Sequence, residues 1–184
     1  MGHEYKNIMS ILNRVYEKEE LKENLILAGG IVPYFITKED SGRLHSDIDF
    51  ICEMSKIDII RNYFMKNGYY DNELDSRTFF DQEFGFEFYI DNIKVGIYPF
   101  IEKNKEIIQR SYDSKKKQIK AKSINVDLEN YVEKKSECKT MKLEVILKSK
   151  VMVAREKDIN DINKICEIGF DNNLYKNILI SVVN

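Results

Sequence analysis

Hydrophobic positions along the chain change period several times, and each change marks an element. From about residue 4 to 20, Ile8, Ile11, Leu12, Val15 and Tyr16 recur at helical spacing and predict an amphipathic helix. "NLILAGG" (24–30) is a short apolar run closing on two glycines, which predicts a buried strand. "IVPYFI" (31–36) predicts a short helix with Pro33 in its first turn, where proline is tolerated. "KEDSGRLH" (38–45) is polar and without period, so it reads as a loop. In "SDIDFIC" (46–52) polar and apolar residues alternate, as in a half-buried strand. "SKIDIIRNYFMKNG" (55–68) returns to a helical period, with Ser55 as N-cap and Gly68 as the stop.

The stretch "FGFEFYIDNIKVGIYPF" (84–100) predicts a hairpin turning at Asp91-Asn92. Phe84, Phe86, Phe88, Ile90, Ile93, Val95 and Ile97 then share one face; Gly85, Glu87, Tyr89, Lys94, Gly96 and Tyr98 share the other. That register sets 90 against 93, 88 against 95 and 87 against 96. One or two further strands are expected between 105 and 125. Helices are expected over about 141–154 and 158–168, with a weaker one from 172. Strands in the middle with helices at both ends predict an α+β (mixed α/β) fold: a mixed sheet flanked by helices, with C-terminal helices. The expected organisation is a core over 1–125 and a C-terminal helical part over 126–184 packed on it, the two also being readable as one domain.

Composition adds few constraints. The 184 residues are 43% hydrophobic, enough for a core, and 33% charged with a formal net charge of −2. No global field therefore draws the chain to nucleic acid or a membrane. No apolar run reaches the roughly 18 residues of a membrane span, and "MGHEYKNIMS" lacks a signal peptide's apolar centre. Cys52, Cys138 and Cys166 have no paired spacing, so they read as reduced, core-filling thiols of a cytoplasmic protein. Lys115, Lys116, Lys117, Lys120 and Lys122 form a basic stretch, read as protection of an edge strand rather than an RNA contact.

The candidate chemistry lies between residues 27 and 52. Residues two apart on a strand share a face, so Asp47 and Asp49 point together. Two such carboxylates can converge on Mg²⁺, which takes hard oxygen ligands and leaves positions for substrate phosphates. Gly29-Gly30 ends a strand and opens a helix, where backbone N–H groups can approach phosphate closely. Alone, the acid pair is equally a solvated strand face, and the glycine pair equally a turn. Their order, in a strand–helix–loop–strand context, favours chemistry.

The run "LAGG…GRLHSDIDF" resembles the signature of the nucleotidyltransferase superfamily, the DNA polymerase β-like fold. It is similar to the version in small antibiotic adenylyltransferases of the lincosamide and aminoglycoside-2″ types, and in AbiEii-like nucleotidyltransferases. The resemblance implies Gly29, Gly30 and Ser46 near the triphosphate, and Asp47 and Asp49 as Mg²⁺ ligands. Arg43 is a candidate phosphate contact or a solvated loop residue. "LEVILKSKVMVAREKDINDI" (143–162) resembles the family's later helix, making Lys150 a candidate for nucleotide phosphate or for anchoring that helix. The gap from Gly30 to Asp47 is longer than usual, so 38–44 reads as an insertion. The implied activity is transfer of a nucleoside monophosphate from an NTP, ATP first, to a small-molecule hydroxyl. A small acceptor, an antibiotic among them, is favoured over nucleic acid; a toxin-type enzyme acting on tRNA or protein uses the same core.

One position departs from the pattern. "VGIYPF" (95–100) resembles the strand that carries a third acid, but that acid falls on Gly96. Glu87, opposite Gly96 in the hairpin, is the candidate replacement, as general base or as completion of the metal site. The competing readings are Glu87 as a surface acid paired with Lys94, and the whole chain as a non-catalytic nucleotide-binding module.

Overall fold

A computed structural model describes residues 2–79, 82–113, 118–135 and 137–180. In chain order the elements are α1 (Tyr5–Tyr16), α2 (Glu19–Asn24), β1 (Ile26–Ala28), α3 (Val32–Thr37), β2 (Asp47–Glu53), α4 (Ile57–Lys66), β3 (Tyr70–Asp75), α5 (Ser76–Phe79), β4 (Phe86–Ile90) and β5 (Ile93–Lys103). They continue with β6 (Glu106–Asp113), β7 (Gln118–Ile124), α6 (Leu128–Tyr131), β8 (Val132–Lys135), β9 (Cys138–Met141), α7 (Leu143–Val153), α8 (Glu156–Ile168) and α9 (Asn172–Ile180).

Among the described residues the strands join one mixed sheet, in the order β3-β4-β5-β2-β1-β9-β8 with β6 and β7 branching from β5. β2 runs parallel to β5, and β9 parallel to β1. The long strand β5 pairs with β4 through its first half and with β6 from Phe100 onward, opposite the edge taken by β2. The β4–β5 turn has positive φ at both Asp91 (51°) and Asn92 (64°), which matches the twist of its strands. Its register is the expected one: Ile90 faces Ile93, Phe88 faces Val95 and Glu87 faces Gly96.

Two adjacent rows across the sheet explain how the site is positioned. Leu27, Phe50, Ile97 and Phe86 are successive cross-strand partners, and all are buried. Helices cover that face: Tyr16 of α1 meets Phe50 edge-on at 6.0 Å, and Phe64 of α4 lies 4.3 Å from Phe88, ring to ring. One residue along, the row is Ala28, Asp49, Gly96 and Glu87, pointing the other way. The alternation that buries the apolar row therefore brings the polar row to the opposite face.

Several local expectations are corrected. Ser55 does not cap α4; its hydroxyl donates to Glu53 at 3.4 Å, and a 3-10 turn over Met54–Lys56 leads into the helix. Residues 132–141, read with the helical part, form the β8–β9 hairpin within the common sheet. β3 was not expected; Arg61 holds its end, with Nε 2.8 Å from Asp75 Oδ2, both side chains being almost wholly buried. Only Cys52 fills the core, since Cys138 is half-buried and Cys166 exposed. Of the basic stretch, Lys120 and Lys122 lie on β7, whose partner among the described residues is β6; Lys115–Lys117 fall outside those residues. Among the described residues no helix is long and apolar enough to cross a membrane.

Candidate active site

β1 delivers the chain into a tight turn at Gly29, where φ is +74°. A side chain there would be strained, and its Cβ would come 2.8 Å from Asp49 Oδ2. The 3-10 turn Gly29–Ile31 then leads into α3, with Pro33 in its opening turn. β2 lies antiparallel to β1, with Ala28 facing Asp49. Glycine turn and acid strand thus meet at one end of the sheet, around a cavity of about 260 Å³. Gly29, Gly30, Arg43, Ser46, Asp47, Asp49 and Lys150 all line it, so seven of the eight expected site residues come together.

The cavity's far wall is cationic and comes from α7 and α8. Lys150 Nζ lies 2.7 Å from Asp158 Oδ1 and 2.8 Å from Asp161 Oδ2, and both aspartates are fully buried. Arg43 reaches back from the loop to Asp161, with Nη2 at 2.8 and 2.9 Å from its two oxygens and Nε at 3.2 Å. Arg155 closes on Asp158, with Nε at 2.7 Å, and its backbone N–H completes a capping box at the start of α8. The loop 38–45, α7 and the start of α8 are thereby tied together around two carboxylates. Arg43 is therefore bonded rather than free in solvent, and Lys150 holds the helix pair. Gly30 lies against this cluster; a Cβ there would be 2.5 Å from Asp161 Oδ2. His45, which had no assigned role, is buried, bonds Ser41 at 2.7 Å and pairs by backbone with His3. Burial and then the Arg43 charge hold its pKa down to about 4.

No protein-family description and no curated relative matches the chain. Solved structures do. The antibiotic-resistance factor ANT(2'')-Ia aligns over 97% of this chain and 84% of its own, with a TM-score of 0.54 and 10% identity. The lincosamide antibiotic adenylyltransferase LnuA, bound to lincomycin, aligns over 92% of this chain and 100% of its own, with a TM-score of 0.57 and 15% identity. The chain has the nucleotidyltransferase fold. A candidate nucleotidyltransferase from Thermotoga maritima also aligns, over 89% of this chain and 94% of its own, at a TM-score of 0.52 and 16% identity.

Within this nucleotidyltransferase fold, Asp47 and Asp49 are half-buried on the polar face of β2. Burial, then the neighbouring Asp47 charge, pushes the Asp49 carboxyl up to about 6. Glu87 does not line the cavity. It stands two strands from Asp49, roughly 10 Å of backbone spacing, on the same face of the sheet and with its charge still acting on Asp49. Its carboxylate is instead held by Tyr98, whose hydroxyl donates to Oε1 at 2.6 Å, and by Lys94, with Nζ 3.2 Å from each oxygen. Tyr98 also explains Gly96: a Cβ at 96 would lie 2.5 Å from the Tyr98 hydroxyl oxygen and 2.7 Å from its ring. Burial opposes the Lys94 charge, but Glu87, with help from Asp47 and Asp49, outweighs it and raises the Lys94 pKa. Among the described residues no three His, Cys, Asp or Glu side chains group to hold a metal ion.

Asp158, Asp161 and Arg155 matter to the site although sequence reasoning gave them no role in it. Their signal was the close spacing of opposite charges in "KSKVMVAREKDIND" (148–161). Nothing in that spacing identifies Arg43 as their partner, 118 residues away from Asp161.

Proposed function

We propose that this chain is a Mg²⁺-dependent nucleotidyltransferase that moves a nucleoside monophosphate from an NTP, ATP first, to a hydroxyl of a small molecule such as an antibiotic. The observation that carries the reading is the shared cavity: Asp47 and Asp49 face it together with the Gly29 turn and the cationic wall. Two adjacent carboxylates, one with its pKa pushed up to about 6, form a donor set that gains from a hard divalent cation. Mg²⁺ suits such a set because it fills its remaining positions with water and phosphate oxygens. When bound, it would supply neutralisation of the charge that develops on the transferred phosphoryl group.

The rest of the work belongs to the chain. Gly29 leaves room for phosphate oxygens, Ser46 offers a hydroxyl, and Arg155 and Lys157 supply charge at the rim. Arg43 and Lys150 act on phosphate through the donors their aspartate bonds leave over, while keeping the wall in place. In the transfer, the acceptor O–H bond breaks and its oxygen bonds the α-phosphorus, as the bond to pyrophosphate breaks. Glu87 is the carboxylate proposed to take the acceptor proton; an acceptor hydroxyl reaching it would displace the Lys94 contact at 3.2 Å.

Pyrophosphate release, measured with each NTP against lincosamides, aminoglycosides and bulk tRNA, tests the reading. One acceptor class is expected to stimulate release, and Asp47→Asn and Asp49→Asn each to abolish it without lowering Tm. Wild-type turnover in either variant would reject the metal-site assignment. The Tyr98 ring over Gly96 favours a second reading, a nucleotide-binding module without catalysis. That module would show a thermal shift with ATP and Mg²⁺ and no release with any acceptor.

A further inference from the structure

The polar face of the sheet carries its own cation beside the acid pair. Lys94 is the register partner of Asp47 across the β2–β5 ladder, and the two share a face. Its ammonium spans both oxygens of Glu87 at 3.2 Å. Tyr98 fixes that carboxylate by its 2.6 Å bond, and its ring fills the space above Gly96. The two ways of building a second metal position are thereby closed. An acid at 96 has no room, and the next carboxylate along the row already bears an ammonium.

We propose that Lys94 stands in for a second divalent cation, so that Asp47 and Asp49 work with a single metal ion. The inference rests on the proposed metal-dependent transfer at that pair. Charge balance supports it: Asp47, Asp49 and Glu87 against Lys94 leave a deficit that one divalent ion meets. Paired metal sites hold their ions roughly 3.5–4 Å apart through shared ligands. Here Glu87, the next carboxylate along that face, is engaged by Lys94. The ammonium is a compact point charge that needs no coordination geometry, so it can supply positive potential where a metal would lack ligands.

The test counts metal rather than turnover. The full chain is saturated with Mn²⁺ and the non-hydrolysable α,β-methylene analogue of ATP, and bound Mn²⁺ is read by electron paramagnetic resonance. The wild type should hold one ion with the spectrum of an isolated centre. Lys94→Met should take up a second, with the spin coupling of ions about 4 Å apart, while Lys94→Arg should stay at one. Two coupled ions in the wild type, two in Lys94→Arg, or one in a normally melting Lys94→Met would overturn the proposal. Should Lys94→Met show no folded transition, Lys94→Gln is counted in its place with the same expectation. No bound Mn²⁺ in the wild type would defeat the metal-site reading itself, a different failure from a count of two.

Discussion

At the scale of the residue, three glycines of the site are glycines for three reasons. Gly29 has φ of +74° and closes on the Asp49 carboxylate, so it meets both a backbone and a space requirement. Gly30 has only the second. In Gly30→Ala the new Cβ would stand 2.5 Å from Asp161, 2.8 Å from Arg43 and 3.0 Å from Lys150, in a cluster whose ion pairs resist moving. A loss of about 1–3 kcal/mol is expected, as for other overpacked sites, read as a lower Tm and urea midpoint. Gly96 makes room for Tyr98. Gly96→Asp should therefore lower stability by a similar amount, about 1–3 kcal/mol, and not simply return an acid to the sheet. Adding Tyr98→Ser should make the combined loss smaller than the sum of the two single losses, because the residues compete for one volume. A double-mutant cycle in urea measures that coupling; simple additivity would mean that the Tyr98 ring does not lie over Gly96.

At the scale of the element, the clamp between α7 and α8 decides whether the cavity has a far wall. Asp158 is fully buried between Lys150 and Arg155. Its bond from Arg155, then those from Lys150, outweigh burial and hold its carboxyl well below the usual carboxylate range. An unfolded aspartate titrates near pH 3.9, so below about that pH the unfolded chain takes up a proton that the folded chain refuses. The stabilisation from Asp158 is thus present above about pH 4 and is lost as pH falls further. Asp158→Asn should flatten the acid side of a stability–pH profile, measured by urea unfolding between pH 6 and 3. Asp158→Ala at neutral pH should cost about 3–5 kcal/mol, the usual result of removing one partner from a buried ion pair. A loss below 1 kcal/mol would mean that the helix pair is held by its apolar contacts alone.

At the scale of the molecule, charge separates the classes of acceptor. The chain has a formal net charge of −2, and its described basic residues near 120 lie on β7, away from the cavity lining. For a small acceptor, activity should change little with added salt, and Lys120→Glu with Lys122→Glu should leave it within about twofold. For an RNA acceptor the neutralised phosphates would release counterions, so binding would weaken steeply with salt and fall strongly in the double variant. Acceptor titrations between 50 and 200 mM salt distinguish the two.

Much of this molecule was legible in the order of its residues, because the signals were local. Alternation through 84–100 set the hairpin register, down to Glu87 opposite Gly96, since a period of two allows only one face inward. The acid pair and glycine turn were likewise visible, and the sheet sets Ala28 beside Asp49 so that both face one cavity. What the sequence left open were choices among partners. The Lys94 option for Glu87 was readable beside the catalytic one, but only strand order sets Glu87 two strands from Asp49 and within reach of Tyr98 and Lys94. The β8–β9 hairpin is short and half-exposed, with little periodicity of its own, and exists because β1 offers β9 an edge. Arg43 finds Asp161 only when the chain returns through α8. Periodicity is written along the chain and can be read there; which charges meet across the sheet is decided by packing, because burial forces each ion to take the nearest opposite charge that the fold supplies.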